Sequence, residues 1–296
     1  MSTEGRRPLS LRPPQSVMSR SALRTQVKSV LAKAATKWPN IQILESLPMF
    51  APNSAGAMNE RAALTIQAAS QTFPLMIELL GRTGTPIKDP TPIAAFADTA
   101  EKRAAALELK ELFDQYGSDK GYSNHNYHWL YGAILETRRA TALLEIGLGT
   151  NNEDIVSNMT RNGTPGASLR AFRDFLPDAQ IYGADIDRRI LFQEERVSTF
   201  FVDQTDLDSF VELSAAIPDE LDLIIDDGLH TPNANLASLV FGLGRLKVDG
   251  YFLVEDIGRH AVPIWQLVSA ALLPEQYESH VVDADTQFLF VVRRVR

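Results

Sequence analysis

The 296-residue chain contains no cysteine, which excludes disulfides, thiolate zinc sites and a cysteine nucleophile. It has no surplus of basic residues: 29 Lys and Arg stand against 37 Asp and Glu, a formal net charge of -8. Nucleic-acid binding depends on clustered cations facing phosphates, so this balance argues against a nucleic-acid partner. No apolar run approaches the roughly 18 to 20 residues that span a bilayer. Residues 1–20 also lack the apolar core of a secretory signal. The expectation is a cytoplasmic protein with no membrane partner.

What the chain does hold is 45% hydrophobic and 22% charged residues, ordinary for one large soluble domain with an appendage. Residues 1–20 are rich in Arg and Pro with few large apolar side chains, so they read as a disordered tail. An organelle transit peptide has a similar composition, but nothing else in the chain supports that reading. Residues 21–116 read as a helical region, with helices over 21–37, 59–80 and 98–116. Pro48, Pro52 and Pro74 are breaks or kinks, 81–92 is a linker, and the last helix runs from an Asp98 cap to Gly117. Residues 117–296 carry the chemistry. They open with GSDKGYSNHNYHWLY, which packs Ser118, Asp119, Lys120, His125, Tyr127, His128, Trp129 and Tyr131 into one span. Such a span suits a loop that covers a ligand. A solvated loop leading into an amphipathic helix over 126–140 is the plainer alternative.

The chemistry-bearing residues sit after short apolar runs. ALLEI, 142–146, reads as a buried strand, and Gly147 and Gly149 follow it, then Asn151; glycines there let the backbone approach a ligand. A third glycine, needed for a dinucleotide fingerprint, is missing, and Asn152 stands in its place. Glu145 is placed to meet a cationic or amine group. A second strand, 180–184, ends in Asp185 and Asp187, where a carboxylate grips a ribose diol; Asp187 reads equally as a cap for the segment starting at Arg188. A third, 199–202, ends in Asp203 and Gln204, facing an adenine edge. LDLIIDDGLH, 221–230, is a central strand that stops in Asp226 and Asp227, with Gly228 and His230 beyond, and YFLV, 251–254, stops in Glu255 and Asp256. If those two strands are neighbours, Asp227, Glu255 and Asp256 converge. Carboxylates that close raise one another's pKa unless a cation lies between them, and oxygen donors suit a hard divalent ion. With an antiparallel pair over 278–282 and 287–292 at the sheet edge, the whole reads as an α/β fold with a doubly wound, mostly parallel seven-stranded sheet.

GSDKG at Gly117, EIGLGTNN at Glu145, YGADID at Tyr182, DDGLH at Asp226 and VEDI at Val254 resemble class I S-adenosylmethionine-dependent methyltransferases. The resemblance is closest to the metal-dependent macrolide sugar O-methyltransferases of the mycinamicin and macrocin type, and covers about residues 109–296. It implies a Rossmann-like methyltransferase fold, S-adenosylmethionine and Mg2+ as cofactors, and Asp227, Glu255 and Asp256 as metal ligands. It also implies His230 as general base, three residues after the metal-binding Asp as in catechol O-methyltransferase. With the strand-end acids, the cofactor set is Ser118, Lys120, Glu145, Gly147, Gly149, Asn151, Asp185, Asp187, Asp203, Gln204 and Asp227. The implied acceptor is a hydroxyl of a sugar or other vicinal-diol small molecule, in natural-product or glycan biosynthesis. The helical region has no counterpart in the resemblance before about residue 100, and its apolar faces suggest either a homo-oligomer contact or a cover over the acceptor site. His230 could instead be a polar turn residue capping a helix near Thr231. Rival classes are a nicotinamide-dependent oxidoreductase, which the missing glycine counts against, and a non-catalytic subunit with the methyltransferase fold.

Overall fold

The computed structural model describes residues 40–54, 56–121, 125–159 and 163–296; the expected tail and the helix over 21–37 lie outside them. Residues up to Leu75 belong to one unit, and Met76–Arg296 form a second. In the first, α1 (Asn40–Ser46) buries Ile43, and α2 (Met58–Arg82), which ends in the second unit, buries Ala62 and Thr65. Glu60 in the first turn of α2 and Arg82 in the last suit the helix dipole. Pro74, expected as a break, lies inside this continuous helix. A proline removes one amide donor and crowds one turn, and the turns on either side keep their own hydrogen bonds.

The second unit is built on a nine-stranded sheet in the order β1-β8-β9-β7-β6-β2-β3-β5-β4. In chain order the strands are β1 (Thr91–Pro92), β2 (Ala142–Ile146), β3 (Gln180–Asp185), β4 (Gln193–Glu194), β5 (Val197–Phe201), β6 (Leu221–Asp226), β7 (Leu246–Ile257), β8 (Tyr277–Asp283) and β9 (Phe288–Arg294). The five strands β7, β6, β2, β3 and β5 run parallel, and β8 and β9 pair antiparallel as expected. Two-residue β1 lies outside β8 and β4 outside β5, so the hairpin is not the sheet edge and two short strands join the expected seven.

Among the described residues, six helices cover the sheet: α3 (Ala100–Tyr116), α4 (His128–Ile134), α5 (Ala167–Phe175), α6 (Leu207–Ala216), α7 (Pro232–Leu243) and α8 (Val262–Ala271). Alternate strand residues sort to two cores, because side chains on a strand point to opposite faces in turn. Leu143, Ile225 and Leu253 pack with Leu109 and Phe113 of α3, Tyr131 of α4 and Phe172 of α5. Leu144, Ile224 and Phe252 pack with Phe210 of α6, Leu239 of α7 and Trp265 of α8. Because Leu109 and Phe113 are fully buried in that core, the boundary expected at residue 116 falls inside the larger unit. Thr99, not Asp98, caps α3, its hydroxyl accepting from Lys102 N at 3.2 Å. Gly117, at φ 76°, ends the helix as expected.

Helices over 59–80 and 98–116 stand where the sequence placed them, whereas the one over 126–140 shortens to α4. After β2 the chain runs to β3 on one side of the sheet, and β6 lies on the other side. The strand order thus reverses between β2 and β6, and their carboxyl ends open a crevice.

Candidate active site

The crevice exists because two chain segments nearly touch at its floor. Gly147 turns out of β2 at φ 97°, its amide donating to Ala184 O (2.8 Å), while Asp227 N donates to Ile146 O (2.8 Å). A Cβ at Gly147 would lie 2.0 Å from the carbonyl oxygen of Asp227, so no residue with a side chain fits. Above this floor is a cleft of about 1000 Å³ whose walls include Gly149, Asp185, Asp203, Asp227, His230 and Asp256.

Asp227, His230 and Asp256 each present one donor atom, all within 4.8 Å of one another. Asp227 Oδ2 is taken by Lys120 Nζ at 2.6 Å, and its Oδ1 lies 3.9 Å from His230 Nε2. Asp256 Oδ1 accepts from the Tyr127 hydroxyl at 2.5 Å, and its Oδ2 lies 4.0 Å from His230 Nε2. The two uncommitted carboxylate oxygens therefore turn toward the same imidazole. His125 stacks on Tyr127, ring centroids 4.6 Å apart, and brings its Nε2 within 3.7 Å of Asp256 Oδ1. His230 (φ 56°) and Asp256 (φ 55°) both hold left-handed backbones, which residues with side chains adopt only where their surroundings impose it. His230 is not a helix cap, since Thr231 is the N-cap residue of α7.

Glu255 does not join this group. One residue before Asp256 on β7, it faces away and is buried, accepting from the Tyr131 hydroxyl and from Lys120 Nζ at 2.6 Å. Lys120 is itself only 1% exposed, and a third carboxylate, Glu145, stands 3.3 Å from its Nζ. Burial alone would push the Lys120 pKa down, but Asp227, Glu255 and Glu145 reverse this and hold it well above its ordinary value. One ammonium against three carboxylates leaves a negative excess. Burial, with Asp227 adding to it, lifts Glu255 well above the usual carboxylate range against the pull of Lys120. Burial likewise pushes Glu145 up to about 7, although Lys120 and the Ser168 hydroxyl, donating at 2.6 Å, oppose it. Glu145 lies beneath the cleft rather than in its wall.

Among the other expected cofactor residues, Ser118 and Lys120 line the cleft with Gly147 and Gly149. Asp185 also lines it, its oxygens accepting from the backbone amides of Leu148 and Asp187, each at 2.8 Å. Each oxygen keeps a second lone pair free for a ligand hydroxyl. Asp187 is committed elsewhere: it caps the short turn Arg188–Ile190 and accepts from Thr150 Oγ1 (2.6 Å), Asn152 Nδ2 (2.6 Å) and Arg189 Nε (2.6 Å). Those donors, Arg189 first, hold its carboxyl well below the ordinary range. The cap reading accounts for Asp187, which does not line the cleft. Asn151 also stands outside the cleft wall, its amide donating to Gly163 O at 2.9 Å. Asp203 lines the cleft and accepts from Thr205 Oγ1 at 2.7 Å, whereas both ends of the Gln204 amide bond to protein groups. Sequence reasoning gave no role to Ser168, placed Asp226 only at a strand end, and placed Tyr131 only within the span suited to cover a ligand. The spacing of Tyr127 and Tyr131, one helical turn apart in the loop already singled out, was the available signal.

No protein-family model matches the chain. It is 30% identical over 186 residues to the 8-demethyl-8-alpha-L-rhamnosyl tetracenomycin-C 2'-O-methyltransferase of Streptomyces olivaceus, covering 60% of this chain and 46% of that protein. It is 29% identical over 208 residues to the demethylmacrocin O-methyltransferase of Streptomyces fradiae, covering 68% of this chain and 49% of that protein. The chain thus spans about half the length of these curated relatives. Among solved structures, MycE methyltransferase from the mycinamycin biosynthetic pathway, in complex with Mg, SAH and mycinamycin VI, superposes with a TM-score of 0.52 at 22% identity. That match covers 64% of this chain and 54% of MycE.

Proposed function

We propose that this chain, which has the class I methyltransferase fold and resembles the antibiotic sugar O-methyltransferases, binds S-adenosylmethionine and a divalent cation and methylates a hydroxyl. The acceptor is a sugar or another vicinal-diol small molecule, and Mg2+ is the cation that the carboxylate donors suit. One observation carries the reading: Asp227 Oδ1 and Asp256 Oδ2 both face His230 Nε2 in a cleft that also holds the glycine turn and Asp185. Two carboxylate oxygens that lie within 4.8 Å of each other and of the His230 imidazole suit a divalent cation held beside a base.

When bound, S-adenosylmethionine supplies a methyl group on a positively charged sulfur, and the dication lowers the pKa of a hydroxyl held against it. The chain's residues do the rest. Asp227 and Asp256 would hold the cation, while Lys120 and Tyr127 fix the orientation of the two carboxylates. His230 Nε2 takes the acceptor hydroxyl's proton as general base. Asp185 accepts from the ribose hydroxyls, and the turn at Gly147 lets the cofactor lie against backbone. Lys120 keeps Glu145 and Glu255 compensated below the cleft.

The test is calorimetric titration of S-adenosylmethionine and NAD with and without Mg2+, followed by mass spectrometry of a panel of vicinal-diol glycosides. S-adenosylmethionine binding and a gain of one methyl group, lost in EDTA, are expected. Binding of NAD alone would contradict the reading.

A further inference from the structure

Gln204 follows β5 at the edge of the cleft, yet its amide is turned into the protein. Nε2 donates to Asp226 Oδ1 (2.7 Å) at the end of β6 and to Ser238 Oγ (2.7 Å) on α7. Oε1 accepts from the backbone amide of Leu229 (2.7 Å). A backbone N–H only donates and a carboxylate only accepts, so these partners set the orientation of the amide, and both N–H groups are spent. Asp226 is fully buried and also accepts from Asn235 Nδ2 (3.0 Å) and Gly228 N (3.3 Å). The Gln204 amide packs closely against the turn, since a Cβ at Gly228 would come 2.1 Å from its Oε1.

The braced turn contains Asp227 and His230. His230 sits at φ 56°, and Thr231, the N-cap residue of the helix that follows, makes no capping hydrogen bond of its own. We infer that Gln204 is a positioning residue: it does not read the adenine of the cofactor but, through Asp226 and Leu229, locks the 227–230 turn so that Asp227 and His230 face the cleft together. The roles of those two residues are those proposed above, so the inference rests on that reading.

A polarity swap in the full chain tests it. Gln204→Glu sets two carboxylates against each other, and Asp226→Asn keeps only one oxygen for two amide donors, so its own NH2 must face either Gln204 Nε2 or Asn235 Nδ2. The double variant restores a donor opposite an acceptor, with Asn at 226 donating to Glu at 204 and Leu229 N still donating to the other Glu oxygen. Mn2+ affinity is read by electron paramagnetic resonance, S-adenosylmethionine affinity by calorimetry, and kcat by methyl transfer. Each single variant should weaken Mn2+ by about tenfold or more, as groups that orient metal ligands do, and lower kcat. The double variant should return to within about threefold of the parent, the coupling expected of residues in direct contact. S-adenosylmethionine affinity should stay nearly constant in all three. A single variant that fails to fold while the double folds and binds Mn2+ gives the same support. The inference is overturned if the double is no better than the singles, or if cofactor affinity falls while Mn2+ binding is untouched. A parent that binds cofactor and Mn2+ but transfers no methyl group refutes the proposed function, and the Mn2+ data then still decide the role of Gln204.

Discussion

The ammonium of Lys120 lies 2.6 Å from Glu255, with both side chains buried beneath the cleft, and this pair separates Glu255 from Asp256, its neighbour in sequence. The same ammonium holds Asp227 at 2.6 Å and Glu145 at 3.3 Å. It is the common counter-charge of three acids, Glu145 on β2, Glu255 on β7 and Asp227 just past the end of β6.

Lys120→Met should therefore be destabilising. Removing one partner of a buried ion pair leaves uncompensated charge and costs about 3–5 kcal/mol. The loss should be largest near neutral pH and smaller in acid, where the abandoned carboxyls take up protons. Urea unfolding at several pH values measures it, and equal loss at all of them would contradict the pairing.

Glu145 makes a pH prediction with a definite sign. Its carboxyl is held at about 7, above the ordinary glutamate value of 4.5, so the folded chain binds that proton more tightly than the unfolded chain. The contribution to stability is full below pH 4.5 and is lost as pH rises through about 7. Glu145→Gln lacks this dependence, so without metal or cofactor the variant should gain on the parent by on the order of 3 kcal/mol across that window. A constant difference between the two proteins would show that the carboxyl is not perturbed.

Asp185 and Asp187 lie two residues apart and should behave differently. Asp185→Ala should weaken S-adenosylmethionine by on the order of 3 kcal/mol, the worth of two hydrogen bonds to a charged acceptor. Asp187→Ala should lower the melting temperature and leave cofactor affinity nearly unchanged. Calorimetry on both variants checks this, and similar affinity losses would return Asp187 to the cofactor site.

Much of this arrangement was legible in the sequence. Apolar runs that end in acids marked the carboxyl ends of β2, β3, β6 and β7. The adjacency of β6 and β7, which brings Asp227 near Asp256, follows from a parallel sheet built of such strands. Which of Glu255 and Asp256 meets Asp227 depends on the face each takes on β7, and a pair of adjacent acids does not reveal the phase of that alternation. Lys120 reaches its partners from 107 residues away from Asp227 and 135 away from Glu255, contacts that no local pattern encodes. Gln204 looked like a ligand contact because it follows a strand end. Its commitment to Asp226 and Leu229 appears only when β5 and the 227–230 turn are set side by side. The helix expected over 126–140 stops at Ile134, and Arg138 takes a left-handed backbone at φ 53°, a conformation that helical periodicity does not foretell.

The most direct measurement of the central claim is Mn2+ affinity, followed by electron paramagnetic resonance, in Asp256→Asn, Asp227→Asn and Glu255→Gln. The uncommitted oxygens of Asp227 and Asp256 face His230, while Glu255 is engaged by Lys120 and Tyr131. The account predicts that Asp256→Asn and Asp227→Asn each lose Mn2+ affinity by about a hundredfold or more, at least what the loss of a group that only orients a metal ligand costs, and that Glu255→Gln stays close to the parent. Loss of Mn2+ binding in Glu255→Gln equal to that in Asp256→Asn would contradict it.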